Sequence, residues 1–398
     1  MGRNRPWLFA LVLLGYVLLS AGPAWERVSR AKHGRDFATY RYAAAQVLDG
    51  DSPYDTKALS KRARKEQTRK SVHPYFYPPP FLLSVLWSPS FSLSTSYKLF
   101  FGINQLALLV CFAVFRFWFR APWVVLGVLA LGFTPITDNA KMGQANVLVL
   151  MAGVLGLWLR SGAAVGVAAM AKMSPALYLF GFLAQRRWVP IVTAVGTAIG
   201  LSVVSLPWVD WDTQWRFYTE ILPGFSTGHY HGLSVKIGLP ANHSIPDLFN
   251  QLWPGPTPHS LSGDARLFSK ITSLVLLASC CWFGRVRRDR LGEAGLFGAL
   301  TVLLLVTPVY TYEHHLVMAV FPAAVVGASL LDGRLGRLGW LFGLASVFFT
   351  AWPLYWLRPL QRVMPDMHWW LQESKFFGLM GLGVLCALTA INSPRSQR

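Results

Sequence analysis

Five polar residues in this largely apolar chain carry side chains that could do chemistry at a membrane edge. They are Asp36, Gln144, Lys172, His314 and His315. A carboxylate can act as a general base on a hydroxyl group. A lysine or a histidine can hold a phosphate through a charge-assisted hydrogen bond. These residue types therefore suit a lipid-linked phosphate substrate, whose leaving phosphate needs its charge stabilised rather than protonated.

Each of these side chains also has a purely structural explanation. Asp36 opens the helical pattern "DFATYRYAAAQVL", so it could be a helix N-cap. Lys172 could extend to the membrane interface, although the nearby Pro175 indicates a broken helix. His314 and His315 are adjacent, and neighbouring side chains on an α-helix point about 100° apart. At most one of the two histidines is therefore expected to face a given site.

The remaining acids and histidines give no metal-binding pattern. Asp49, Asp51 and Asp55 surround "DGDSPYD", which is typical of turns. His229 and His231 in "HYH" could supply ligands, but the chain has no HExxH motif and no paired-cysteine motif. The four cysteines all lie in hydrophobic runs, which favours core packing. We therefore expect no metal and no cofactor.

Composition places the chain in a membrane. Its 398 residues are 53% hydrophobic and only 14% charged, whereas soluble domains are about one quarter charged. Runs such as 7–25 and 188–208 approach the roughly 20 apolar residues that span a bilayer. The formal charge of +19 does not indicate nucleic-acid binding, because much of it lies in short loops, as the positive-inside rule expects.

The apolar runs predict an all-α polytopic membrane protein with about twelve crossings. Arginine-rich connectors and the C-terminal tail fall on one side, which is predicted to be cytoplasmic. The first run is interpreted as an uncleaved span rather than a signal peptide. The six later crossings are predicted at 188–207, 266–284, 292–310, 314–331, 338–356 and 376–392.

The middle of the chain is interpreted as one crossing and one hairpin. Residues 78–119 make a single crossing preceded by a shallow apolar piece, and 163–184 make a short hairpin broken at Ala171–Pro175. Loops at about 26–77 and 208–265 then lie outside. The candidate polar residues share this outer face, where ionisable groups are usually functional.

A membrane transporter or lipid flippase is the alternative from another class. Transporters often show inverted repeats and ionisable residues near the bilayer midplane. No internal repeat is evident here, and the polar residues lie at the ends of the predicted spans. A non-catalytic membrane scaffold is a third hypothesis, although the full set of candidate residues argues against a decayed site.

Six motifs, in the same order along the chain, resemble those of the GT-C glycosyltransferases of family 87, which are bacterial integral-membrane enzymes. They are spread over a stretch of about 290 residues, and their shared order makes the resemblance fairly specific. The motifs are "DFATYRYAAAQVLDGDSPY" (36–54), "YFYPPPFLL" (75–83), "GQANVLVL" (143–150), "GVAAMAKMSPALYLF…RRW" (166–188), "NHSIPDLF" (242–249) and "TPVYTYEHHLVMAVFP" (307–322).

The resemblance implies a single GT-C domain over residues 1–398 in the bacterial inner (plasma) membrane. It implies inverting transfer of a sugar, expected to be mannose, from a polyprenyl-phosphate donor on the outer face. The acceptor is a lipid or a glycan. The partners would be this donor, the acceptor and membrane lipids, with no nucleic acid.

The resemblance also implies roles for residues of this chain. It makes Asp36 the general base, assigns His314 and His315 to the donor or its phosphate, and places Lys172 and Gln144 near the site. The residues expected to contact the acceptor or the site loops are Tyr40, Tyr77, Asn242 and Ser244. The chain departs from the family pattern where His243 replaces an expected glutamine, and where Glu313 precedes the histidines.

Overall fold

A computed structural model describes most of the chain as packed helices. The described residues are 34–227, 236–239, 241–286, 288–353 and 373–394, together with 14–16, 18, 21–22, 25–26 and 363. No β-strand occurs among them. The fold class predicted from the apolar runs, all-α, is therefore confirmed for the described residues. The predicted first span lies largely outside these residues, as do His229, His231 and most of residues 357–375, which join the last two predicted crossings.

The N-terminal half contains nine α-helices in the described range. Short 3-10 helices at Pro79–Ser84, Ser88–Ser90 and Ser174–Leu177 separate some of them. The α-helices are α1 (Arg35–Leu48), α2 (Thr56–Lys65), α3 (Leu93–Trp118), α4 (Trp123–Gly132), α5 (Pro135–Met142), α6 (Asn146–Leu159), α7 (Gly162–Ala171), α8 (Tyr178–Ala184) and α9 (Trp188–Val204).

The C-terminal half adds eight more α-helices in the described range. A π-helical turn at Phe217–Ile221 joins the first two, and a 3-10 turn at His315–Ala319 leads into α15. The α-helices are α10 (Trp211–Arg216), α11 (Leu222–Thr227), α12 (Ile245–Leu252), α13 (Gly263–Gly284), α14 (Arg290–Val306), α15 (Val320–Leu331), α16 (Gly336–Ala351) and α17 (Ser374–Ile391).

The helices follow the apolar segments expected from the sequence. Each of the six predicted later crossings contains one described helix. The segment at 78–119 contains the single long helix α3, preceded by 3-10 turns, and the 163–184 segment is broken at Lys172, between α7 and the next 3-10 turn. Pro175 lies in that turn and has no amide hydrogen to continue a helix.

Fewer helices than predicted meet the length and hydropathy expected of a full membrane span. Among the described residues α3, α13 and α17 qualify, and α4 with α5 would make a fourth span that bends by 49°. Six shorter apolar helices accompany them. The membrane character predicted from composition is therefore supported by these helices, whereas the count of about twelve crossings stays a prediction.

Two packed regions hold the candidate site residues in position. The larger is the apolar core built from α3, α6, α14, α15 and α17, with α14 lying along α17. The smaller is an aromatic cluster around α1, in which Phe37 and Tyr40 pack against Phe81 and Phe100. This cluster holds α1 against the large core, so the start of α1 has a defined position.

Asp36 is not the N-cap of α1, which corrects one of the explanations considered for it. The helix begins at Arg35, and its N-cap is Gly34, with φ +70° and no side-chain cap. Asp36 is thus the second helical residue, and its carboxylate bonds to groups from other segments. Asp55 does cap a helix, since its side chain accepts hydrogen bonds from the amides of Lys57 and Ala58 at the start of α2.

Candidate active site

Asp36 lies at the wall of a large cavity and is bound by two side chains. Gln144 Nε2 donates to Asp36 Oδ2 at 2.7 Å, and His73 Nδ1 lies 3.0 Å from Asp36 Oδ1. The residue is only 8% exposed. A carboxylate can accept about four hydrogen bonds, so two made contacts leave room for an incoming hydroxyl.

Gln144 is oriented by two tyrosines. The hydroxyls of Tyr40 and Tyr77 lie 2.9 and 2.6 Å from Gln144 Oε1, and 2.6 Å from each other. Burial raises the pKa of both tyrosines, so both hydroxyls keep their protons at neutral pH. Because these hydroxyls occupy the oxygen of the Gln144 amide, its nitrogen must point towards Asp36.

The charge state of Asp36 reflects opposing effects. Burial raises the pKa of its carboxyl group, but the hydrogen bond with His73, the nearby His314 and the Gln144 amide outweigh burial. The pKa of Asp36 therefore lies below its ordinary value, and the group is a carboxylate at neutral pH. An ionised, partly satisfied carboxylate at a cavity wall is competent to accept a proton.

Two glycines allow α1 to approach the segment that carries Gln144. Gly34 and Gly143 have φ of +70° and +69°, a region that L side chains rarely adopt. A Cβ on Gly143 would lie 2.7 Å from Phe37 Cβ, and one on Gly34 would lie 2.8 Å from the ring of Tyr97. The Gly34 amide donates to Lys141 O at 2.8 Å. This close contact brings Asp36 within reach of Gln144.

Lys172 reaches the same cavity from the break after α7. Its Nζ donates to Asn146 Oδ1 at 2.9 Å, and Asn146 Nδ2 donates to the carbonyl of His314 at 2.9 Å. Lys172 and Asp36 both line the cavity. Asn146 thus links the lysine to the turn that carries the two histidines.

Both histidines line the cavity, so the expectation that at most one would face the site is wrong. That expectation assumed α-helical geometry, but His314 lies in a turn and His315 begins a 3-10 helix. Their ring centroids are 4.4 Å apart at an interplanar angle of 74°. The Tyr312 amide donates to His315 Nδ1 at 3.2 Å. A neutral His315 therefore carries its proton on Nε2, where it can donate to a ligand.

Asn242 and Ser244 lie behind the cavity wall rather than among the described lining residues. Asn242 Nδ2 donates to the carbonyls of Ile237 and Val309 at 3.0 and 2.9 Å, and its Oδ1 accepts from the Thr311 amide at 2.8 Å. Ser244 Oγ donates to Val309 O at 3.1 Å. These contacts fasten the loop before α12 to the segment before the histidines.

The cavity has a volume of about 1310 Å³ and is lined by both polar and apolar groups. The polar groups come from α1, α5, the segment near His73 and the histidine turn. The apolar groups include Met173, Leu177, Phe180, Leu304 and Met318. A ligand with a polar group and a long apolar portion fits such a lining.

Three acids line the cavity, and they differ in their partners. Asp138 pairs with Lys141 at 2.7 Å, and Glu313 pairs with Lys375 at 2.7 Å. Within the described residues, Asp36 contacts no lysine or arginine. Of these three acids, Asp36 is therefore the one whose carboxylate is not neutralised by a lysine or arginine among the described residues.

The described residues contain no group of three or more histidine, cysteine, aspartate or glutamate side chains that could hold a metal ion. The acids of the cavity and His315 are instead bonded to amide, imidazole and ammonium groups. The arrangement suits acid–base and phosphate-binding roles.

Sequence reasoning missed His73 and the partners of Glu313. His73 lies two residues before Tyr75, in "VHPYFYPPP", and its side chain is 53% exposed. Its position beside a recognised motif was a usable signal. Lys375 gave no such signal, because it opens an apolar helix far along the chain.

The pH dependence of activity should respond to His73. Replacing His73 by alanine removes a contact that lowers the pKa of Asp36, so burial should push that pKa upward. Asp36 is then protonated at a lower pH in the wild type than in the variant. The acidic limb of kcat/KM should therefore move to higher pH in His73→Ala, as measured across about pH 4 to 8. An unchanged limb would show that His73 does not stabilise the ionised base.

Comparison with known proteins places this helical membrane chain among glycosyltransferases. The profile of glycosyltransferase family 87 matches residues 75–308, which is more than half of the chain. The protein belongs to glycosyltransferase family 87, as its motifs predicted.

Curated relatives extend the match beyond the family profile. A polyprenol-phosphate-mannose-dependent alpha-(1-2)-phosphatidylinositol mannoside mannosyltransferase of Mycobacterium tuberculosis is 26% identical and aligns with 98% of this chain and 92% of its own. A pentamannoside mannosyltransferase of the same type, from Mycolicibacterium smegmatis, is 28% identical over 60% of this chain and 55% of its own.

A solved structure is also similar, at lower identity. ArnT from Cupriavidus metallidurans bound to undecaprenyl phosphate has a TM-score of 0.47 and 14% identity, covering 98% of this chain and 77% of the ArnT chain.

Proposed function

We propose that the protein transfers mannose from a polyprenyl-phosphate donor to a hydroxyl of a lipid or glycan acceptor. The observation that carries this proposal is the ionised Asp36 on the wall of a cavity shared with Lys172, His314 and His315. The names of the curated relatives support the donor and the sugar. The family supports the reaction class.

Asp36 is the proposed general base. Its carboxylate takes the proton of the acceptor hydroxyl as that oxygen attacks the anomeric carbon of the donor sugar. The bond between the anomeric carbon and the phosphate oxygen breaks, and its electron pair leaves with polyprenyl phosphate. Attack from the face opposite the phosphate inverts the anomeric configuration. One base suffices because the phosphate leaves as an anion.

Lys172 and His315 are the proposed phosphate ligands. Lys172 lines the cavity and is held by its hydrogen bond to Asn146, and His315 supplies an Nε2–H donor. Charge-assisted bonds of this kind would stabilise the phosphate charge as it grows in the transition state. The apolar lining near Met173 and Leu177 suits the first isoprene units of the donor.

The proposed setting is a single GT-C domain over residues 1–398 in the bacterial inner membrane. The loops at about 26–77 and 208–265 would carry the site on the extracytoplasmic side. The cavity-lining residues of α1 and of the segment near His73 belong to the first of these loops, which supports a site at one membrane face.

The two histidines should contribute unequally to transfer. His315→Ala removes the proposed phosphate donor, so the donor KM should rise by about tenfold or more. His314→Ala removes a group that lowers the pKa of Asp36, so its larger effect should be on kcat and on the acidic limb. Steady-state kinetics of both variants against varied donor would measure this difference. Equal changes in the same parameter would contradict the assignment.

Incubation of the purified protein with mannosyl and glucosyl polyprenyl phosphates tests the function directly. Candidate lipid and glycan acceptors would be supplied, and products identified by mass spectrometry. Mannose transfer with inversion supports the proposal. Transfer of glucose alone would show that the proposed sugar is wrong. Absence of transfer from either donor would contradict the proposed function as a polyprenyl-phosphate-sugar transferase.

A further inference from the structure

A buried ion cluster lies directly behind the turn that carries the two histidines. Glu313 Oε1 is 2.6 Å from His243 Nε2, and Glu313 Oε2 accepts from Lys375 Nζ at 2.7 Å. The side chains of His243 and Lys375 have no solvent exposure, while that of Glu313 is 19% exposed and reaches the cavity. The cluster therefore joins the protein interior to the cavity wall.

Glu313 connects the histidine turn to three separate elements. His243 lies just before α12, and Lys375 lies in the first turn of α17. Lys375 Nζ also lies 3.3 Å from the carbonyl of Thr350, near the end of α16. One carboxylate thus ties His314, its neighbour in the chain, to α12, α16 and α17.

The backbone of this turn has little regular structure of its own. Thr311 and Tyr312 are not helical, and Glu313 and His314 form a turn before the 3-10 helix begins. The Thr311 carbonyl accepts from the His243 amide at 2.8 Å. Because an irregular segment lacks a continuous backbone ladder, contacts from its neighbours must set its shape.

The charges of the cluster depend on one another. Burial raises the pKa of Glu313, but the neighbouring His243 and Lys375 outweigh burial and hold it below its ordinary value. Glu313 is therefore ionised and pairs with the Lys375 ammonium, which has no solvent to stabilise it. Losing one partner of such a pair leaves an uncompensated buried charge.

We propose that Glu313 is a positioning residue for donor binding. Its carboxylate, held by Lys375 and His243, sets the turn so that the ring of His315 faces the donor phosphate. The cluster also contains both departures from the family pattern, since His243 and Glu313 bond to each other. This inference rests on the proposed function, because it assigns His315 to the donor phosphate.

Glu313→Gln is the primary test, with Glu293→Gln as the matched control. Glu293 is also a buried carboxylate that pairs with two arginines, Arg187 and Arg160, but it is not among the described residues lining the cavity. Both changes keep the side-chain shape. Glu313→Gln leaves the fully buried Lys375 ammonium unpaired, and Glu293→Gln removes the charge opposite Arg187, whose side chain is 14% exposed, and opposite the exposed Arg160. Both should lower the Tm.

Donor kinetics should separate the two variants. Glu313→Gln should raise the donor KM by about tenfold to a hundredfold with the acceptor KM nearly unchanged, because misplaced ligands weaken donor binding. Glu293→Gln should change the donor KM by less than about twofold at temperatures where both variants are folded. Equal donor KM changes in the two variants would overturn the inference.

The double variant Glu313→Gln, Lys375→Met separates positioning from stability. It removes the unpaired ammonium, so the Tm should recover towards the wild-type value, while the donor KM should stay high because the tie to the turn is still missing. It also carries the test alone if the single variant does not fold. If both the donor KM and the Tm return to their wild-type values in the double variant, Glu313 contributes only to stability.

Wild-type activity distinguishes failure of the inference from failure of the proposed function. Mannosyl polyprenyl phosphate would be the donor in every assay. Absence of wild-type transfer from this donor overturns the proposed function and, with it, the inference. Wild-type transfer combined with an unaltered donor KM in Glu313→Gln overturns the inference alone.

Discussion

Asp36→Asn should lower kcat by about 10²- to 10⁴-fold, the range that a positioned general base contributes. The amide cannot take a proton from the acceptor hydroxyl, yet it has nearly the same shape as the carboxylate. The new amide nitrogen cannot accept the hydrogen bond that a carboxylate oxygen accepts from His73 or Gln144, so a modest loss of stability is also expected. Folding and donor affinity should otherwise persist. The measurement is single-turnover transfer, alongside a donor-binding assay.

Asp138→Asn is the control for Asp36→Asn. Asp138 also lines the cavity, but its carboxylate is bound to Lys141 three residues away on α5. Its replacement should leave kcat within about tenfold of wild type, since it contributes no base. Near-normal turnover in Asp36→Asn, or an equal loss in both variants, would disprove the assignment of Asp36.

Lys172→Met should lower kcat/KM for the donor by about ten- to a hundredfold. That range corresponds to losing a hydrogen bond to a charged group, worth roughly 1.5–3 kcal/mol. Methionine keeps the length of the side chain but not its charge, so Asn146 loses its ammonium partner while the break after α7 is preserved. Kinetics at varied donor concentration would show the loss, and competition by polyprenyl phosphate would show weaker binding.

Lys141→Met is the matched control for Lys172→Met. Lys141 also lines the cavity but is paired with Asp138. Its loss should reduce donor affinity less than the loss of Lys172. If Lys172→Met binds polyprenyl phosphate as the wild type does, Lys172 is not a phosphate ligand.

Local sequence patterns predicted the positions of several helices and one helix break. Long apolar runs predicted α3, α13 and α17, and Pro175 predicted the break beside Lys172. Such features depend on neighbouring residues, because hydrophobicity and backbone restrictions act over one or two helical turns. The pattern could not show that Asp36 is the second residue of α1, since a helix N-cap and a first-turn acid look alike in sequence.

The site itself was only partly predictable. Asp36, Gln144, Lys172 and the histidines were identified as candidates, and the structure places them all at one cavity. His73 was missed, and the orientation of the histidine pair was misjudged because α-helical geometry was assumed where a turn and a 3-10 helix occur. The assigned roles remain predictions for the experiments described above.

By itself, the sequence determined the class of protein, most helix positions and the candidate polar residues. Tertiary structure decided how those residues are used. Gln144 meets Asp36 across 108 positions, and Lys375 pairs with Glu313 from a different helix. Helix formation follows from local hydrophobicity, but a buried polar group takes its partners from distant segments that packing brings together. That is why Asp36 could be identified as the candidate base from its sequence context, while the groups that keep it ionised and orient it became visible only in the folded chain.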